Sequence, residues 1–537
     1  MCNDRTKCLV RTLALAASAL AASFASAAPR SPVAATTEGP VRGVLSGGID
    51  RYLGIPYAAA PVGNLRWRPP QPHGRWQGVR EATAFANHCP QTATPYGQAT
   101  STEDCLYLNV YTPARGTDAL PEDALLPVMV WIHGGALIVG ESDDYDPVHL
   151  VQQGVLVVTI NYRLGVLGFF AHPALSAESG HVTDNYGLMD QQAALQWVQR
   201  NISHFGGDPK RVTIFGESAG GLSVHSHLAS PLSAGLFQGA IVESGAYALT
   251  QPSVATAEAA GKKLAADPTS GVGCGEDASA ATAACLRAAS VDALLAARDA
   301  TGPTSVVPDV DGTVLKESVG DAFAAGRFNQ VPVIEGSNHD EWRLFVGQAE
   351  AVTHQPVTAA TYVQAIMGSL GVPAGTAAFF ASLYPAAAYP SPSIALGALG
   401  TDLVFACNAR KTVKALAHFV PTYAYEFADE NAPELFLPPV SFPYGSAHAS
   451  EIQYLFNLRS PLPPSLVVPL NATQRDLSDA MVTHWTNFAK TGSPGDGWSA
   501  YSSSSDQLQS LVPPAPVPST ETAFGTAHKC AIWTPGI

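Results

Sequence analysis

Short runs of apolar residues alternate with longer amphipathic stretches along this chain. Runs that predict buried strands occupy residues 105–111, 128–132, 155–160, 212–215, 240–242, 331–334 and 423–427. Between the third and fourth runs, apolar residues recur at helical spacing from Leu188 to Ile202, which predicts a helix. Continuous apolar strands that alternate with helices are typical of a parallel sheet covered on both faces. The pattern therefore predicts an α/β fold with a mostly parallel central sheet.

The fourth run leads into the pentapeptide G-x-S-x-G, from Gly216 to Gly220, with Ser218 at its centre. Residues 221–229 then predict a helix. A serine on a sharp turn between strand and helix presents its hydroxyl outward, and the helix N-terminus directs N–H groups at nearby negative charge. The pentapeptide alone would occur by chance about 0.3 times in such a chain. Its position between strand and helix is what favours a nucleophile over a glycine-rich turn.

The second run is followed directly by His133-Gly134-Gly135-Ala136. Residues without bulky side chains let backbone N–H groups approach a ligand closely. Two of these N–H groups, together with that of Ala219, would form a three-donor oxyanion hole. A simple Gly-Gly turn is the alternative interpretation.

A serine nucleophile needs a base, and the base needs an orienting carboxylate. Glu341 follows the sixth run, and His448 lies about twenty residues after the seventh. The order serine, acid, histidine is that of α/β-hydrolases. Because the chain has 15 histidines, and His339 and His354 also follow Ser218, order alone does not select His448.

Composition limits the binding partners and the number of domains that the chain is expected to have. The chain has 537 residues with a net charge of −15, which argues against nucleic acid and anionic membranes as partners. Neither a polar linker nor a repeat divides residues 28–537, so one large domain with insertions is expected. No apolar run of about 18 residues follows the N-terminal segment, so no membrane span is expected. The sequence indicates no oligomeric state.

Residues 1–27 are typical of a cleaved signal peptide. Arg5, Lys7 and Arg11 precede an apolar segment from Leu13 to Ala22, and an A-x-A site ends at Ala27. The mature chain is then expected to begin at Ala28 and to be secreted or periplasmic.

Six cysteines remain after residue 27, and an even number in an exported chain predicts disulfides. Six cysteines allow 15 connectivities, and the spacing does not choose among them. No C-x-x-C pair suggests a zinc site, so no metal is expected.

With these motifs in view, the chain resembles the type-B carboxylesterases, the family that also contains cholinesterases. The resemblance runs from about residue 39 to the C-terminus and is weakest between about 345 and 420. The segments that carry it are FGGDPKRVTIFGESAG around Ser218, EDCLYLNV, GIPYAAAPVGNLRWRPP, HGGALIVGES, NYRLGVLGF and DNYGLMDQQAALQWVQRNI.

The resemblance implies an α/β-hydrolase fold with large loop insertions and a cofactor-free serine esterase acting on small-molecule esters through an acyl-enzyme. It implies Ser218 as nucleophile, His448 as base and Glu341 as acid. The oxyanion donors would be Gly135, Ala136 and Ala219, supported by Gly134, Glu217 beside the nucleophile, and a hydrogen-bonding Ser244. The implied disulfides are Cys89–Cys105, Cys274–Cys285 and Cys407–Cys530. A buried ion pair between Arg66 and Glu103 is also implied.

Three features depart from the family pattern. Ala136 replaces a common third glycine, Trp342 replaces the glycine that often follows the acid, and the Cys89–Cys105 segment lacks the tryptophan with which cholinesterases bind choline. Two alternatives remain open: a lipase with a lid, for which the Ala-rich residues 357–400 are a candidate, and a non-catalytic binding protein of the same family.

Overall fold

A computed structural model describes residues 31–114, 125–179, 184–267, 269, 271–301 and 306–534. The expected signal peptide, residues 1–27, lies outside the described residues.

Sixteen strands occur within the described residues. In chain order, β1 to β16 are Val33–Ala35, Pro40–Arg42, Val44–Ser46, Ile49–Pro56, Arg80–Glu81, Tyr107–Pro113, Leu126–Ile132, Tyr145–Asp146, Leu156–Ile160, Gly207–Glu217, Gly239–Glu243, Val333–Asn338, Thr422–Phe427, Asn457–Leu458, Gln507–Leu511 and Val517–Thr520.

The same residues contain seventeen α-helices. In chain order, α1 to α17 are Val148–Gln152, Gly165–Gly168, Pro173–Ser179, Tyr186–Asn201, Ala219–Ala229, Val254–Ala266, Ala280–Ala288, Val291–Thr301, Val319–Ala324, Arg343–Thr353, Tyr362–Leu370, Ala374–Leu383, Pro392–Gly400, Cys407–Ala417, Ala472–Thr491, Glu521–Ala527 and Cys530–Trp533. A π-helix, Thr401–Ala406, joins α13 to α14.

Eleven of the described strands form one sheet in the order β16-β15-β13-β12-β11-β10-β7-β9-β6-β4-β3. The seven strands from β15 to β9 pair in parallel, and the strands at both edges pair antiparallel. All seven apolar runs form strands of this sheet, and the predicted helix is α4. The mostly parallel sheet of the α/β-hydrolase fold is confirmed.

The two faces of the sheet pack in different cores. In β7, Val128, Val130 and Ile132 belong to one hydrophobic cluster, whereas Met129 and Trp131 belong to the other. Helices α4 and α5 cover the first face, and α15 covers the second. Continuous apolar runs result because successive side chains point to opposite faces that are both buried.

The Ala-rich region folds into helices α11 to α13, which form a separate apolar cluster with α10. Among the described residues, the helical stretch Pro392–Ala417 is long and apolar enough to cross a membrane by length and composition, and up to three such candidates occur there if two bent helix pairs each count as one. This stretch is not a continuous apolar run, because Asp402 and Asn408 interrupt it. Because 72% of its most apolar window is buried within the protein, this stretch is not a clear span.

Three disulfides are present: Cys89–Cys105, Cys274–Cys285 and Cys407–Cys530. This is the pairing that the resemblance implies. The ion pair between Arg66 and Glu103 is also formed, with two N–O contacts of 2.7 and 2.5 Å and both side chains largely buried.

Candidate active site

Ser218 lies on the turn between β10 and α5, with a backbone φ of 56° that is unusual for a residue other than glycine. Its N–H donates to the carbonyl of Glu243 at 2.8 Å, which ties the turn to the neighbouring strand β11. Gly220 follows in the first turn of α5, where a Cβ would overlap the carbonyl oxygen of Ile132. The glycine thus lets the helix approach β7 closely while the strained serine is held in place.

Glu341 lies three residues after β12 and is fully buried. One carboxylate oxygen accepts the N–H of Asn338 at 2.7 Å, and the other lies 2.5 Å from Nδ1 of His448. The backbone N–H of His448 also donates to the carbonyl of Glu341 at 3.2 Å. Acid and histidine are therefore joined through both side chains and main chain.

The His448 ring packs against Phe345 and Phe405, with centroid separations of 5.3 and 4.8 Å. Its Nε2 lies 3.1 Å from Oε1 of Glu217, but the angles do not make a hydrogen bond. Both His448 and Ser218 line the same cavity. Nε2 is thus the ring nitrogen that faces the reaction space.

Burial by itself would lower the pKa of His448, but the charges of Glu217 and Glu341 outweigh it and raise the pKa to about 9. Burial has the opposite effect on the nearby carboxyl groups: it raises the pKa of Glu451 to about 7 and that of Glu243 to about 8. The charges of Glu217 and Glu341 therefore favour the protonated form of His448.

The glycine-rich segment after β7 turns sharply beside Ser218. Gly135 and Ala136 have φ values of 98° and 56°, so the alanine occupies the left-handed conformation that a glycine adopts without strain. A Cβ on Gly134 would lie 2.8 Å from a Glu217 carboxylate oxygen. Within the described residues, the N–H groups of Gly135, Ala136 and Ala219 donate no hydrogen bond outside regular helices and strands. The segment can therefore offer N–H groups to a ligand.

Ser244 differs from the expectation. Its hydroxyl is buried and has no hydrogen-bond partner, so the hydrogen bond implied by the resemblance is not formed. Instead, its backbone N–H donates to the carbonyl of Gly336 at 3.0 Å. The backbone of Ser244, which has a φ of 52°, thereby hydrogen-bonds the end of β11 to β12.

A cavity of about 420 Å³ opens in front of Ser218 and His448. Its lining includes these two residues and Gly134, Gly135, Ala136 and Glu217. The remaining lining residues are Thr92, Thr94, Tyr96, Ile138, Val139, Gly140, Asp144, Tyr145, Arg298, Asp299, Leu344, Phe345, Gln348, Phe436, Ala449, Ile452, Leu458 and Arg459.

No residue of the Ala-rich region 357–400, all of which is described, lines this cavity, so a role as a lid over the site is not favoured. Helix α10 borders the cavity through Leu344, Phe345 and Gln348. It begins after Trp342, whose φ of −73° and ψ of −10° are ordinary for any residue. Replacing the common glycine therefore leaves the turn after Glu341 unstrained.

Several residues that hold the site were missed in the sequence. The side-chain amide of Asn338 donates to the carbonyl of Ala447 at 2.8 Å and to Glu451 at 2.5 Å, which ties β12 to the His448 loop. Asn338 lies four residues after the apolar run 331–334, at the end of β12, and a polar residue at a strand end was a usable signal. Phe405 comes from the π-helix, for which the sequence contains no periodic signal.

The chain is similar to known esterases along most of its length. A family model described as "Carboxylesterase family" matches residues 30–533. The chain is 36% identical to a fumonisin B1 esterase of Sphingopyxis macrogoltabida, covering 90% of this chain and 88% of that protein. It is 36% identical to a cocaine esterase of Oryctolagus cuniculus, covering 90% and 93%, and 35% identical to a para-nitrobenzyl esterase of Bacillus subtilis, covering 87% and 92%.

The family match spans nearly the whole chain. The three relatives are named esterases, and the chain matches most of the length of each. A non-catalytic role is therefore not supported. The chain belongs to the carboxylesterase family and is a carboxylic ester hydrolase.

Proposed function

We propose that Ser218, His448 and Glu341 form the catalytic triad of this esterase. His448 Nε2 takes the proton of Ser218 as its oxygen attacks the ester carbonyl, while Glu341 orients the ring and stabilises its charged form. The alcohol leaves with a proton from His448. Water then attacks the acyl-enzyme by the same route and releases the acid. The observation that carries this proposal is the 2.5 Å contact between Glu341 and His448 at the cavity that Ser218 also lines.

The negative oxygen of the tetrahedral intermediate would be held by the N–H groups of Gly135, Ala136 and Ala219. Support comes from the tight turn after β7 and from the position of Ala219 at the N-terminus of α5, where the helix dipole adds positive potential. No cofactor takes part in this scheme.

The substrate we propose is a small-molecule ester. A cavity of about 420 Å³ lies within the range of small-ligand sites, and aromatic and aliphatic side chains make up much of its wall. Tyr96 and Phe436 pack together in that wall at a centroid separation of 5.2 Å. The lipase alternative is not favoured, because the candidate lid does not reach the cavity.

Export of the chain is part of the proposal. Three disulfides are typical of proteins that fold in an oxidising compartment, which supports cleavage after Ala27 and a secreted or periplasmic location. The single domain 28–537 is supported by the sheet, whose strands extend from Val44–Ser46 to Val517–Thr520.

The direct test is covalent labelling with a fluorophosphonate, followed by peptide mass spectrometry. We expect one adduct per chain, on the peptide that contains Ser218. Pre-steady-state hydrolysis of a chromogenic ester should also show a burst of alcohol release before steady turnover. The Ser218→Ala variant should show neither. An adduct on another serine, or turnover without labelling, would refute the assignment.

A further inference from the structure

A second cluster of titratable side chains lies outside the cavity, at the ends of β12 and β13. His339 follows β12, Glu426 lies in β13, and His528 lies between α16 and α17. One possible ligand atom from each of the three residues lies within 4.8 Å of the other two. The backbone N–H of His339 donates to the carbonyl of Phe427 at 2.9 Å, which keeps the two strand ends together.

Each histidine of this cluster is backed by a carboxylate at Nδ1. His528 Nδ1 lies 2.7 Å from Asp402, and His339 Nδ1 lies 3.2 Å from Asp340. Metal-binding histidines usually donate one ring N–H to a carboxylate, which orients the ring and leaves the other nitrogen for the metal. This arrangement occurs twice here and leaves Nε2 of each ring for another partner; in His528 that atom contacts Glu426.

The backing carboxylates are themselves held in place. Asp402 also accepts the hydroxyl hydrogen of Tyr384 at 2.6 Å, and Asp340 is paired with Arg343 at 2.9 Å. His528 is almost fully buried, whereas the side chain of His339 is 39% exposed. The cluster is thus rigid on its inner side and reachable from solvent on its outer side.

We propose that His339, Glu426 and His528 form a binding site for one divalent transition-metal ion, with Zn²⁺ the best match. Two imidazoles and one carboxylate are a ligand set of three-ligand zinc sites, which leave a fourth position to water. His528 Nε2 now lies 2.7 Å from a Glu426 oxygen, so the metal would replace the proton between them. That proton goes to solvent.

The ion would connect parts of the chain that are distant in sequence. His528 lies two residues before Cys530 of the Cys407–Cys530 disulfide, and His339 lies two residues before Glu341. A bound ion would therefore fasten the C-terminal segment to the turn after β12 that carries the proposed triad acid. The site takes no part in the ester chemistry.

The test measures Zn²⁺ binding to purified, untagged protein that has been stripped with a chelator. Isothermal titration should give one ion per chain, and titration in buffers of different ionisation enthalpy should show release of about one proton per ion. Zn²⁺ should raise the melting temperature, and Co²⁺ should give the visible absorption of a tetrahedral site. Absence of stoichiometric binding would refute the proposal.

Variants separate this cluster from a second grouping, His88, Glu141 and Asp143, which has similar spacing. His339→Ala removes a partly exposed ligand and should weaken Zn²⁺ binding more than tenfold, whereas His88→Ala should leave it unchanged. Asp402→Asn should weaken it by about 10- to 100-fold through loss of the backing carboxylate. Binding that survives His339→Ala, or that disappears in His88→Ala, would overturn the proposal.

Discussion

His225 and Glu335 form a fully buried pair, with 2.8 Å between Nε2 and Oε2, that joins helix α5 to strand β12. The helix begins next to Ser218, and the strand leads to Glu341. Burial raises the pKa of Glu335, and the charge of His225 opposes that rise. The pair therefore connects the supports of two proposed triad residues through the core.

We expect His225→Ala to lower the free energy of unfolding by about 3–5 kcal/mol, because it leaves a buried carboxyl group without its partner. The double variant His225→Leu/Glu335→Leu should recover much of this loss, since replacing both partners of a buried hydrogen bond by apolar groups can cost little. Urea unfolding measures both. A double variant at least as unstable as His225→Ala would contradict this interpretation.

Ser218→Ala and His448→Ala should each lower kcat for ester hydrolysis by about 10³-fold or more. The double variant should be little worse than either single one, because the groups act as a unit. Ser504→Ala, at an exposed serine, is the matched control and should retain normal kcat. Near-normal turnover by Ser218→Ala would exclude it as the nucleophile.

His448 must be neutral to accept a proton, so kcat/KM should rise with pH through a free-enzyme pKa near 9 and level off above it. Glu217→Gln removes a carboxylate that raises this pKa, so the inflection should move to lower pH. Glu81→Gln at the surface is the control and should not move it. The pH profile of kcat/KM gives the answer; an inflection unmoved by Glu217→Gln would show that this carboxylate does not set the pKa of His448.

Glu103→Gln should destabilise the protein by roughly 3 kcal/mol, because Arg66 would be left largely buried without its counter-charge. The pair Arg42–Glu81 provides a comparison, since its side chains are 42% and 58% exposed. Glu81→Gln should cost less than about 1 kcal/mol. If chemical denaturation showed that Glu103→Gln and Glu81→Gln lower the free energy of unfolding equally, burial of Arg66 would not explain the effect of Glu103→Gln.

The Cys407–Cys530 disulfide closes a loop across a sequence separation of 123 residues. Replacing both cysteines by alanine should lower stability by about 4–5 kcal/mol in the chain-entropy model. Thermal unfolding of the variant, with thiol titration of the intact protein, tests this. Free thiols at these positions in the native protein would contradict the pairing.

The strands of the parallel sheet could be predicted because burial on both faces makes each a continuous apolar run. β10 extends further than predicted, from Gly207 to Glu217, because residues 208–211 give no apolar strand signal and the pairing with β7 is irregular between Gly207 and Val212. Strands β15 and β16 were not predicted, since QLQSL and VPST contain too few apolar residues to form a continuous apolar run. The apolar signal is weak wherever one side of a strand faces solvent.

Within the site, local motifs identified Ser218 and the turn after β7, and the family resemblance selected Glu341 and His448. The contact of His225 with Glu335 could not be predicted, because it joins residues 110 positions apart that have no motif in common. The lack of a partner for the Ser244 hydroxyl depends on side-chain orientation, which a one-dimensional pattern does not contain.

The double connection between Glu341 and His448 limits how the proposed triad can lose its alignment. Because their side chains and backbones are bonded to each other, base and acid should move together as one unit. Ser218 belongs to a different unit, fixed to β11 through the carbonyl of Glu243. Thermal motion would then disturb the alignment of the triad mainly by changing the distance between Ser218 and the Glu341–His448 pair. Substitutions remote from the cavity should affect turnover to the extent that they change that one distance.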